Sequence, residues 1–399
     1  MISTTKRPLL RLRPREGRRA RGGAPWIFSN EIALDAHAKS LAPGTLVEVQ
    51  GDDGHRFGVG YFNAGSLIAV RLLEAPAETD IDRPFFAGRI ARALALRKAL
   101  FDNPYYRLVH AEGDRLPGLV IDRFGDTCTV QITTAGMEAF SETILQALDD
   151  VLAPENLILR ADAPARAQEG LSSYVRMAKG KGPNHIAVEE NGARYFADPL
   201  GGQKTGWYFD QRDNRAFMAS VSRGKSFLDL YCHSGGFALA AACAGAREAN
   251  GIDTSAPALA LAEEAAAANA VNGMCRFVKA DAIEDLERLA AAAETFDVVV
   301  CDPPPFVRSR KDVESGARAY RKLARLAARV TAPGGFLMLA SCSHNMPADR
   351  FQAECAAGVA RAGRSARLIR AAGASPDHPI HPMLPETAYL KALVYSMQE

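Results

Sequence analysis

From about Glu190 onward, short apolar runs alternate with longer, alanine-rich stretches of helical spacing. KSFLDLYC, AREANGID, CRFVKAD, FDVVVCDPP and GGFLMLASCS read as strands. GGFALAAACAG, SAPALALAEEAAAANAVN, a segment near 282–293 and a long one near 315–331 read as the helices between them. Strands alternating with helices predict an α/β fold, a parallel sheet covered on both faces. Ligands of such sheets bind beyond the C-terminal ends of the strands. Here those ends carry Asp229, Asp253, Asp281, Asp302 and Cys342. Four carboxylates and a thiol along one rim exceed what packing requires, so this rim is the expected active-site edge.

The first part of the chain has a different texture. GTLVEVQ, the turn GDDGH, RFGVGYFN and SLIAVRLL alternate like short strands of a small β-rich module, and PLLRLRP has the same half-buried pattern. With PWIFSNEI, this arrangement resembles a PUA domain, a compact barrel attached to RNA-modifying enzymes. APAETDIDRP follows as a linker. FFAGRIARALALRKALF then has apolar residues at helical spacing, with Arg89, Arg92, Arg97 and Lys98 expected on the remaining faces. LVIDRF, TCTVQITT and NLILRAD are strand-like, with a helix expected near 138–151. The expected division is therefore a PUA-like RNA-binding domain at 1–74, an α/β middle domain at 75–189 and a catalytic domain at 190–399.

Composition narrows the class. The 399 residues are 48% hydrophobic and 24% charged, as in ordinary globular proteins. No apolar run approaches the roughly 20 residues of a spanning helix, so no membrane partner is expected. Seven scattered cysteines without a C-x-x-C pair argue against a disulfide framework or a zinc site and fit a reducing cytoplasm. His378 and His381 lie in a proline-stiffened loop, and no metal is expected there. The net charge of +2 conceals two basic runs. Lys6–Arg21 carries +7 and Arg308–Arg329 carries +6, which leaves the remainder at −11. Two such runs on an otherwise acidic chain point to a polyanion, best read as nucleic acid, with binding that weakens steeply in salt.

The turn in FLDLYCHSGGFALA, with Ser234, Gly235 and Gly236, is not G-x-G-x-x-G, and Asp229 sits where a pyrophosphate would be repelled. A cation with an amino-acid end suits it better. Asp253 closes the second strand, where it can accept from ribose hydroxyls, and Asp281 the third, where it can take an adenine amino group. Together they indicate S-adenosyl-L-methionine, although each alone also suits a helix cap or turn. The three prolines after Asp302 stop the ladder and form a stiff lip with Phe306 at its tip. A carboxylate and an aromatic so placed can grip the edge and face of a flipped base. Methylating cytosine C5 requires a thiolate to add at C6, helped by an acid at N3. Strand alternation turns Cys301 away from Asp302 and into helix packing. Cys342, at the mouth of the next strand and flanked by Ser341 and Ser343, is the better nucleophile, with the serines as expected donors to it.

GGQKTGWYFDQRDNR, FLDLYCHSGGFA, VCDPPPF, ASCSHNM and DHPIHPMLPETAYLKA together resemble the PUA-containing class I rRNA 5-methylcytosine methyltransferases of the bacterial large-subunit (23S) type. The resemblance spans nearly the whole chain. It implies a Rossmann-like catalytic domain, Cys342 as nucleophile and Asp302 as the base-contacting acid. Tyr208, Gln211 and Arg212 would line the cofactor pocket, an assignment that rests on the resemblance alone. The chain departs from it in reading C-H-S-G-G-F for S-Y-T-G-G-F, and in placing Pro305 where lysine is frequent. Arg308, Arg310 and Lys311 are the expected substitutes for that phosphate contact. The implied partner is large-subunit rRNA or its precursor particle, and a homodimer is compatible with the sequence. Two rival readings keep the fold: N-methylation of guanine or adenine without a cysteine nucleophile, and a non-catalytic RNA-binding assembly factor.

Overall fold

The computed structural model describes residues 7–182, 184–202 and 205–398. Lys6 of the first basic run, and Gln203 and Lys204 of the GGQKTGWYFDQRDNR motif, lie outside them. The chain divides into two compact units. One comprises residues up to 184 with 198–207 and 377–387; the other comprises 185–197, 208–376 and 388 onward.

In the first unit, strands β1 (Leu9–Arg11), β2 (Trp26–Ile27), β3 (Thr45–Gln50), β4 (Arg56–Phe62) and β5 (Val70–Leu72) form a sheet of order β1-β3-β4-β5-β2. Their inward residues Leu10, Val47, Val49, Phe62 and Val70 build its core. A second sheet has the order β10-β9-β8-β7-β6, from β6 (Tyr105–His110), β7 (Leu119–Phe124), β8 (Thr127–Ile132), β9 (Asn156–Ala161) and β10 (Tyr174–Lys179). β6 and β10 carry no run that the hydrophobic pattern distinguished.

The helix Arg83–Leu100 starts where Asp82 accepts from the Phe85 amide and proline occupies the first turn. Two of its arginines correct the sequence reading, while Arg92 and Lys98 are exposed. Arg89 and Arg97 are buried, not on a solvated face. Arg97 makes a bidentate pair with Asp114 at 2.6 and 2.8 Å and donates to the carbonyls of Arg107 and Asp377. A guanidinium is tolerated in a core when its donors are met in this way. Asp377 in turn accepts from the Arg107 amide and pairs with His378. The D-H-P-I-H-P segment therefore belongs to this unit despite its place near the C-terminus.

The second unit contains the hairpin β11 (Ile186–Glu190) and β12 (Ala193–Ala197) and a seven-stranded sheet of order β15-β14-β13-β16-β17-β19-β18. Its strands are β13 (Ser226–Leu230), β14 (Glu248–Asp253), β15 (Cys275–Lys279), β16 (Phe296–Cys301), β17 (Thr331–Ser341), β18 (Ala366–Ala372) and β19 (Lys391–Met397). β13 to β17 pair in parallel, and β19 pairs antiparallel to both β17 and β18. β13 is buried throughout, as a central strand covered on both faces must be. The order reverses between β13 and β16, which opens a crevice at their C-terminal ends. In the helix Val313–Val330, Gly316, Tyr320, Leu323, Ala327 and Val330 face the core at helical spacing.

Candidate active site

Asp229 lies near the end of β13, opposite Gly251 of β14 and Val300 of β16. It is 1% exposed. One carboxylate oxygen accepts from the Ala238 amide at 2.9 Å, at the start of the helix Gly236–Cys243. The other has no hydrogen-bond partner among the described residues. Burial, and then the nearby Asp302 and Asp253, push its pKa up to about 8, against the pull of the Ala238 amide. A buried carboxylate with one oxygen unmet is costly until a cation arrives. That fits the ammonium of an amino-acid group.

Between Asp229 and this helix the backbone alternates into the left-handed region at Tyr231 (φ 65°), His233 (φ 49°) and Gly235 (φ 78°). Only glycine takes such a conformation cheaply. A Cβ at Gly235 would also stand 3.0 Å from Ala262, Leu239 and Phe277. Tyr231 and His233 hold this conformation as non-glycine residues, at a cost their surroundings must offset. Gly236 begins the helix, and Ser234 is buried with its hydroxyl 3.3 Å from His233 Nδ1.

The other strand-end carboxylates are engaged locally. Asp253 accepts from the amides of His233 at 2.9 Å and Ser255 at 2.8 Å, so it ties the two loops at the crevice together. Asp281 is exposed and caps the helix Ala282–Ala291 by accepting from Ile283 and Glu284. Each keeps lone pairs for a ligand, but their local roles are those of a turn and a cap.

Tyr208, Gln211 and Arg212 fall in the segment leading into the helix Arg212–Ser220. Tyr208 packs edge-on against His233 at 5.3 Å. Burial, and then the charges of Asp210, Asp302, Cys342 and Asp253, drive its hydroxyl far toward the protonated form. Those influences place Tyr208 among the acidic and thiol groups of the rim. Gln211 accepts from Asn214 at 2.7 Å. Arg212 lies 3.7 Å from Glu190, which also forms a bidentate pair with Arg215. Arg215 further donates to the Tyr208 carbonyl at 2.8 Å. Glu190 and Arg215 thus hold this segment, and nothing in the one-dimensional pattern flagged either.

At the next strand ends, Cys301 is fully buried in the core and burial raises its pKa well above the usual thiol range. Cys342 is partly exposed, with its sulfur 4.0 Å from the Pro303 carbonyl. The D-P-P-P-F lip and the S-C-S turn are therefore in contact.

The serines correct the sequence reading, because their hydroxyls turn away from the thiol. Ser341 donates to the Tyr320 hydroxyl at 2.8 Å, and that hydroxyl shares a 3.0 Å bond with Ser343. Ser343 also accepts from the Val307 amide at 3.2 Å. Alternation along the strand explains this: flanking residues face the core when the central one faces the crevice. Tyr320 packs on Phe306 at 4.8 Å, so one buried phenol braces both the thiol turn and the aromatic tip.

Arg308, Arg310 and Lys311 are exposed beyond this lip. On the helix that follows, Arg321 pairs with Glu354 and Lys322 with Glu287, so part of the second basic run serves the fold. In the first run, Arg21 pairs with Asp53 and Arg19 with Glu386.

The profile of the PUA-like domain family matches residues 10–75, and that of the S-adenosylmethionine-dependent methyltransferases matches residues 171–396. The chain is 38% identical over 375 residues to ribosomal RNA large subunit methyltransferase I of Shewanella amazonensis, covering 93% of this chain and 94% of that one. It is 37% identical to the protein of the same name from Shewanella frigidimarina, covering 96% and 98%. Among solved structures, a Streptococcus mutans protein described as a SAM-dependent methyltransferase superposes with a TM-score of 0.82 at 19% identity, over 98% of this chain and all of that one. That likeness speaks for the fold.

Proposed function

Because the chain belongs to the S-adenosylmethionine-dependent methyltransferase family, alongside the ribosomal RNA large subunit methyltransferases I, we propose that it methylates C5 of a cytosine in large-subunit (23S) rRNA, with Cys342 as nucleophile. The bound cofactor supplies the methyl group as an electrophilic sulfonium. Asp229 would receive the cofactor's ammonium, the turn through Gly235 and Gly236 would shape its seat, and Asp253 and Asp281 would offer their remaining lone pairs to ribose and adenine. Tyr208, Gln211 and Arg212 close the pocket from the preceding segment.

On the RNA side, the Cys342 thiolate adds to C6 and forms a C–S bond, while Asp302, entering as the protonated acid, passes its proton to N3 and takes up the charge that would otherwise develop there. Addition makes C5 nucleophilic. Once C5 is methylated, a base takes its proton, the C–S bond breaks to release Cys342 as the thiolate, and the N3 proton returns to Asp302, which restores the ring. Phe306 stacks on the flipped base, and Arg308, Arg310 and Lys311 hold adjacent phosphates. Residues 1–74 act as the RNA-binding domain, 75–189 as the middle domain and 190–399 as the catalytic domain, working in the cytoplasm where rRNA is made.

The observation that carries this reading is the contrast between the two thiols. Cys301 is sealed in the core, whereas Cys342 is partly exposed against the lip rooted at Asp302. The test is Cys342→Ala beside Cys301→Ala, with 5-methylcytosine mapped in 23S rRNA treated with each purified protein. Cys342→Ala should abolish the modification while retaining cofactor binding, and Cys301→Ala should retain activity. Methyl transfer that survives in Cys342→Ala would reject the adduct and leave amine methylation as the chemistry.

A further inference from the structure

Lys391 opens β19 directly across from Ser341 in the β17–β19 register, beside the strand mouth that presents Cys342. Its ammonium donates to the Ser343 carbonyl at 2.7 Å and to the Met346 carbonyl at 2.9 Å. Two bonds from one side chain close the turn that follows the thiol. Any neutral donor could do as much, yet the position holds a half-buried amine that gives up part of its hydration. Burial lowers the pKa of Lys391, and the Cys342 sulfur acts in the opposite sense. Such coupling is mutual: a sulfur that favours the ammonium is itself favoured as the thiolate.

Other titratable groups stand near the thiol as well. Asp302 follows β16, Tyr208 precedes the helix Arg212–Ser220, and Tyr320 projects from the helix Val313–Val330. The first is a carboxyl and the other two are phenols held protonated by burial. His344, two residues beyond the thiol, stacks on Tyr389 at 5.0 Å, and Tyr389 donates to Asp210.

We propose that Lys391 is a positioning residue for the nucleophile, clamping the turn that presents Cys342 and adding a positive charge to the surroundings of its sulfur. This rests on Cys342 being the nucleophile. Lys391 touches neither base nor cofactor in this scheme; it acts through the thiol.

The experiment is peptide-resolved alkylation of the full-length protein with iodoacetamide, followed by mass spectrometry across about pH 6 to 10. Exposed Cys243 serves as the internal reference and buried Cys301 as the reporter of folding. In Lys391→Gln, which keeps a donor but no charge, the Cys342 midpoint should rise by about one pH unit, making alkylation roughly tenfold slower below it. Lys391→Met, which keeps most of the apolar stem, should do the same, while Lys391→Arg should restore the wild-type midpoint. The pH profile of single-turnover methyl transfer should move in the same direction, with cofactor affinity unchanged. An unshifted Cys342 midpoint in either folded neutral variant overturns the proposal, as does an equal shift in Lys391→Arg. If Cys342→Ser still methylates RNA, the nucleophile reading fails while the alkylation result stands, so the two failures are told apart.

Discussion

Replacing Asp229 by asparagine should stabilise the cofactor-free protein while destroying its ability to bind the cofactor. The carboxyl titrates near 3.8 in the unfolded chain and at about 8 in the fold, chiefly because it is buried. Between those values the folded state holds a proton that the unfolded state has released. Stability then falls as pH rises, by about 1.4 kcal/mol per pH unit, fully present below pH 4 and lost by the time pH passes 8. At pH 7 the accumulated deficit is about 4 kcal/mol for a group with essentially no solvent screening. Asparagine has nothing to ionise and can still accept from the Ala238 amide, so it avoids that cost.

Denaturant unfolding of cofactor-free wild type and Asp229→Asn from pH 4.5 to 8 reads the difference directly. The variant should gain little near pH 4.5 and several kcal/mol at pH 7. Calorimetry supplies the other half. An incoming ammonium draws the proton from Asp229, so wild-type binding at pH 7 should release close to one proton and tighten from about pH 6 to 8. The variant presents an amide N–H to the same ammonium and should bind at least a hundredfold more weakly. Parallel stability curves for the two proteins, or undiminished binding by the variant, would refute the reasoning.

The brace behind the thiol offers a second test. Tyr320→Phe removes the hydroxyl shared by Ser341 and Ser343 and should destabilise the catalytic unit by about 1–3 kcal/mol. It should also slow methyl transfer without changing cofactor affinity, as stopped-flow and calorimetry would show. Replacing Arg308, Arg310 and Lys311 together by alanine should weaken RNA binding and make the slope of log K against log salt shallower by about 2, measured by filter binding at several salt concentrations. An unchanged slope would remove these three residues from the phosphate contact.

Much of the catalytic unit is written in local periodicity. The runs ending at Asp229, Asp253, Asp281 and Asp302 become β13, β14, β15 and β16, and the alanine-rich stretches become the helices between them. Each of these signals lies within one element, and burial on one face or on both imprints it on the chain directly. Alternation likewise predicted that Cys301 and Asp302 face opposite ways, and Cys301 lies in the core. The resemblance in the five separated motifs reached the family because such motifs need no three-dimensional information to be compared.

What periodicity could not reveal are the pairings between residues far apart in sequence. Arg97 looks like a solvated helix residue until Asp114 and the Asp377 carbonyl close around it, 280 positions away in the latter case. Ser341 and Ser343 look like donors for Cys342 until Tyr320, on another element, takes both hydroxyls. Lys391 is an unremarked cation until the antiparallel β17–β19 register sets it across from Ser341. The unmet oxygen of Asp229 depends on which amides the neighbouring helix happens to aim at it. The sequence by itself determined the alternation of strands and helices that carries the acidic rim, and the candidate chemistry, because these follow from local burial and residue type. Only the tertiary structure decided which groups are buried, which are paired and which side chain closes the turn after the thiol, because hydrogen bonding and desolvation act through space without regard to position along the chain.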